Sequence, residues 1–261
     1  MTRAVFVLFC CCCCLTAQAQ VRVSKLVIQP HETFYMDSTD ILVADSLIMM
    51  DSSRISLNGL KAENFIRTNV AIIGKHCIID GRGVNGKKGL NGTSGLTPVG
   101  PCRDGIPGRN GLRGLSGGPG INLFLYIDKI HVKGRLIIDL SGGSGGDGGN
   151  GGDGGGGSPG TQHCNGGDGG NGGNGGSGGD GGRGGVLTIG GRDAVITRAL
   201  IGSSLVVVKN NGGSFGYGGI SGAAGAAGLG PHRKNGKRGH KGQDGVYGRP
   251  GDRGAVLLEE Q

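Results

Sequence analysis

The chain has 261 residues, 63 of them glycine, with 4% aromatics, no tryptophan and a formal net charge of +8. Glycine normally supplies about 7% of residues, so this composition excludes a large conventional core, and no catalytic constellation stands out. A basic balance of this size points to anionic partners.

Residues 1–19 read as a secretory signal peptide: Arg3, an apolar run over Ala4–Leu15, then the small residues of Ala17-Gln18-Ala19. The run is too short to span a membrane. The implied location is secreted, extracellular or at the cell surface, with no membrane span. Beyond the signal, Cys77, Cys102 and Cys164 remain, so two can pair in an oxidising compartment and one is left over.

From there the chain alternates between two kinds of text. Residues 20–80, 121–140, 185–208 and 255–261 are rich in Val, Ile and Leu and read as a β-rich base. The endings "CIIDGRG", "LIIDLSG" and "VVVKNNGG" resemble one another, with Gly74, Gly134 and Gly202 a few residues before each. The recurrence predicts stacked rungs of roughly 20–27 residues, a β-solenoid, with a β-sandwich as the alternative. Cys77, inside "HCIID", reads as a buried core thiol.

Residues 81–120, 141–184 and 209–254 are glycine blocks. Glycine recurs every third residue, as in Gly83, Gly86 and Gly89, or Gly236 to Gly254. Each block is two such runs around a short interruption containing Pro: "TPVGPCRD", "SPGTQHCN" and "LGPHRKN". Period three is the period of polyproline II, whose bare glycine stripe lets another backbone approach. The spacing therefore predicts three antiparallel polyproline-II hairpins forming a six-helix bundle. Block two, mostly Gly-Gly-X, should be the middle layer, with its Asp and Asn turned to the open side. Cys102 and Cys164 lie in the interruptions of blocks one and two, which predicts a disulfide stapling neighbouring tips.

Runs such as "GGDGGNGGNGGSGGDGG", paired around turns, resemble the glycine-rich polyproline-II bundles of the snow flea antifreeze protein and of phage tail-tip adhesins. That resemblance implies a rigid bundle carrying a contact surface. The G-X-Y text, notably "GIPGRNGLRGLSGGPG", is collagen-like.

Apparent catalytic motifs fail on context. "GRGVNGKK" places Lys88 where a phosphate loop needs Ser or Thr, and no helix follows. Ser116, Ser144 and Ser177 satisfy G-x-S-x-G without a strand-to-helix elbow. Asp80, Asp139 and Asp193 fall near rung ends, where corner positions account for them. No enzyme activity, cofactor or metal is expected. The expectation is a secreted structural and adhesive protein whose tips, through Arg103, His163, His232, Arg233 and Lys234, meet an anionic glycan or cell-surface ligand and no nucleic acid. The alternatives are an ice- or crystal-surface binder, for which "GISGAAGAAG" supplies a face of small residues, and a collagen-like oligomeric matrix protein. The oligomeric state is left open.

Overall fold

A computed structural model describes residues 20–192, 199–201 and 203–260. Residues 1–19, expected to be a signal peptide, and Asp193 and Gly202 therefore lie outside the described residues. In chain order the strands are β1 (Gln20–Ile28), β2 (Thr33–Tyr35), β3 (Ile41–Met49), β4 (Arg54–Ser56), β5 (Glu63–Ile73), β6 (Cys77–Asp80), β7 (Asn122–Val132), β8 (Leu136–Asp139), β9 (Leu187–Gly191), β10 (Val206–Lys209) and β11 (Val256–Glu260). Helix is nearly absent among the described residues.

Consecutive strands lie in different sheets. One sheet has the order β1-β3-β5-β7-β9-β11 and the other β10-β8-β6-β4-β2. Their register stacks like on like: Phe34, Ile55, Ile79, Ile138 and Val208 form one column. Leu42, Ile66, Leu125 and Ile189 form another in the facing sheet. These side chains meet between the sheets in one apolar core, and burying each contributes about 2 kcal/mol. Cys77 is buried in that core, its thiol 3.1 Å from the carbonyl of Met50. Left-handed residues His31, Ser52 and His76 mark the bends that precede β2, β4 and β6.

The strand pairing corrects the expected fold class. A β-solenoid or β-sandwich base with three antiparallel polyproline-II hairpins in a six-helix bundle takes the antiparallel hairpin as its unit. Among the described residues the strands instead form two sheets, six- and five-stranded, in which every strand pair is parallel and neither sheet closes into a barrel. The reason is connectivity. A strand's neighbour in its sheet arrives only after the chain has visited the other sheet, so it travels the same way.

The glycine blocks extend these two layers. Each block leaves from a strand of the five-stranded sheet and re-enters the six-stranded one. At the exit the sheet's hydrogen bonding continues outward, from Gly81 N–H to Asp139 O, then Gly83 to Ser141 and Gly86 to Ser144. The spacing changes there from two residues to three. Outgoing runs bond each other in the same direction, as do returning runs, while the two runs of one block bond in opposite directions: Leu112 N–H to Leu90 O, Gly176 N–H to Gly149 O, Gly245 N–H to Gly219 O. Block two lies between the others, taking bonds from Gly86 and Gly89 of block one and giving bonds to Tyr217 and Ile220 of block three. These bonds all lie within one chain, whereas collagen distributes them over three.

Candidate functional site

The three interruptions converge at the far end of the glycine runs. Cys102 and Cys164 are disulfide-bonded, with Cα atoms 6.0 Å apart. Cys102 N–H donates to Pro159 O at 2.8 Å, Ser158 N–H to Arg103 O at 2.8 Å, and the Ser158 hydroxyl to Pro98 O at 2.7 Å. The third tip joins the second through Gly160 N–H to Leu229 O and Gly166 N–H to Lys234 O, both 2.8 Å. A short 3-10 turn, Pro231–Arg233, closes it, with His232 at φ 53°. Cys102 and Gly100 also take positive φ, 62° and 102°, as tight reversal requires.

This apex carries the candidate contact residues. Arg103, His163, His232 and Lys234 are exposed, and Arg103 and Lys234 are in no ion pair among the described residues. Arg233 follows His232 in the backbone, while its side chain lies outside the description. The disulfide brings His163, next to Cys164, to the tip that holds Arg103. The result is a cationic end fixed by backbone bonds, with Asp104 tied inward by accepting Asp168 N–H at 2.7 Å.

Below the apex, the Asp and Asn of block two do something the sequence does not disclose. The expectation turned them toward the open side, and Asp147, Asp153 and Asp168 are indeed exposed. Their oxygens, and that of Asn150, also accept N–H groups from block three: Asp147 from Tyr217, Asn150 from Ile220, Asp153 from Ala223, Asp168 from Lys237. Block one repeats the device toward block two, with Asn91 accepting from Asn150 and Asn110 from Asn174. In block two the N–H that the glycine bonding leaves over, as at Asn150 and Asn174, thus finds a partner. No signal short of knowing the neighbouring run could have revealed it.

At the corner where block one leaves the sheet, a groove is lined by Tyr35, Asp37, Asp80, Arg82 and Asn85. Arg54 Nη1 reaches Asp80 at 2.6 Å, and Arg82 grips the same carboxylate through Nη2 at 2.9 Å and Nε at 3.0 Å. Burial pushes the Asp80 carboxyl up, but the hydrogen bonds and charge of Arg82, with the charge of Arg54, outweigh it. The carboxyl stays below its usual value. Asp139, stacked on Asp80, accepts Ser141 N–H. Asp80 is held as an anion in this corner contact. Among the described residues no group of three His, Cys, Asp or Glu is placed to hold a metal.

No family model matches the chain, and no curated protein matches it. A solved structure is weakly similar. It is the nine-helix polyproline type II bundle of the springtail antifreeze protein from Granisotoma rainieri. The likeness covers 62% of this chain and 95% of that one at 22% identity, with a TM-score of 0.15. It loosely accords with the resemblance seen in the glycine text, and at that TM-score it carries no argument about activity.

Proposed function

We propose that this is a secreted or cell-surface structural and adhesive protein, without catalysis, whose stiff glycine runs present a cationic apex to an anionic glycan. The observation that supports this most is the convergence of all three interruptions into one cross-linked end with Arg103, His163, His232 and Lys234 exposed. A fixed cationic surface loses little entropy on meeting a polyanion, and its attraction is screened by salt. The reading is tested on immobilised heparin as a model sulfated glycan. The Arg103→Glu/Lys234→Glu variant should elute at markedly lower salt than the parent, with an unchanged melting temperature because both side chains are exposed. Equal retention of the two proteins would sink the proposal.

A further inference from the structure

Within block one the three residues of each triplet have separate surroundings. Glycine faces neighbouring runs, so that a Cβ on Gly89 would collide with Leu112 O. Where the residue before a glycine has a side-chain oxygen, as at Asn85, Asn91 and Asn110, it accepts an N–H from block two. The residue after each glycine is left with the remaining direction, away from block two. Those positions hold Val84, Leu90, Leu96, Ile106, Leu112 and Leu115, each 49–79% exposed. Lys87, Thr93, Arg109 and Gly118 hold the other positions after Gly83 to Gly117, and no acid occurs among them.

We propose that this outer face of block one docks on an anionic lipid bilayer. Six aliphatic side chains at that exposure share one face, an apolar patch of the kind that marks an interaction surface. The face is level, because Leu112 N–H to Leu90 O and Leu115 N–H to Lys87 O hold the two runs side by side at 2.8 and 2.9 Å. It therefore offers no groove for a helix or a peptide. A second copy docked face to face would bring Lys87 and Arg109 against their like with no acid to offset them. A bilayer meets both features. Aliphatic side chains enter the boundary between headgroups and acyl chains, and the cations meet anionic headgroups.

The test is co-sedimentation of the full chain with vesicles of phosphatidylcholine and phosphatidylserine, and with phosphatidylcholine alone. The parent should bind the mixed vesicles, weakly or not at all the neutral ones, and less as salt rises. Leu90→Ser/Leu112→Ser should reduce partition at least about tenfold with an unchanged melting temperature. Lys87→Glu/Arg109→Glu should reduce it on mixed vesicles, whereas the tip variant Arg103→Glu/Lys234→Glu should retain it. No association with mixed vesicles, or equal binding by Leu90→Ser/Leu112→Ser, overturns the proposal. So does a parent dimer in analytical centrifugation that Leu90→Ser/Leu112→Ser converts to monomer, since the face would then belong to a second copy.

Discussion

At the scale of the residue, the glycine runs leave no room for side chains on their inner stripe. A Cβ on Gly149 would strike the carbonyl of Leu90, whereas one on Gly59 meets nothing within 4 Å. Gly149→Ala should therefore destabilise by about 3 kcal/mol or more. Gly59→Ala should be neutral or stabilising by about 0.5 kcal/mol, through the unfolded chain. Urea unfolding of the two variants checks the contrast, and similar losses would mean that backbone entropy rather than contact dominates. Asn150 offers a milder case. Its amide oxygen accepts Ile220 N–H at 3.0 Å, so Asn150→Ala should cost about 1 kcal/mol in the same titration.

At the scale of the element, the disulfide closes a long covalent loop, with a sequence separation of 62. Loop-closure entropy assigns such a cross-link about 4 kcal/mol. Cys102→Ser/Cys164→Ser should lower the unfolding free energy by 2–4 kcal/mol on that account, and reductant should lower the parent's melting temperature but leave the variant's alone. The interruptions that hold these cysteines are readable in the sequence, because Pro and the lapse of the glycine period mark them. The boundaries of the apolar blocks are readable for a similar reason. The direction of strand pairing is not: "CIID" and "LIID" satisfy a parallel sheet as readily as an antiparallel one. Only the long return path through the other sheet decides between them. The acceptor role of Asn91 or Asp147 stays hidden too, since it depends on a run some 60–70 residues away.

At the scale of the molecule, the corner between sheets and glycine runs depends on Asp80 as an anion between Arg54 and Arg82. Its pKa is lowered in the folded state, so the stability it contributes is present above the unfolded value of about 3.9 and is lost as pH falls through the lower folded value. Asp180, lowered chiefly by Arg249 N–H, and Asp244, lowered chiefly by the Ser221 hydroxyl, act in the same sense. The parent should lose stability as pH drops below about 4. Asp80→Asn should be weaker at neutral pH and show a shallower acid limb when melting temperature is followed against pH. Identical slopes for the two would remove Asp80 from the account.

The cross-block bonds also constrain how such a chain can change length. Each side-chain oxygen of block one that accepts an N–H of block two in the outgoing runs lies 59 residues from it, and the same bonds from block two to block three span 70. In the returning runs the corresponding side-chain bonds span 64 and 69. A one-residue insertion anywhere inside a run shifts every later glycine out of phase with two neighbours at once. The molecule can therefore grow or shrink only in whole triplets, matched on both legs of all three blocks, and its reach is a quantised property of the chain.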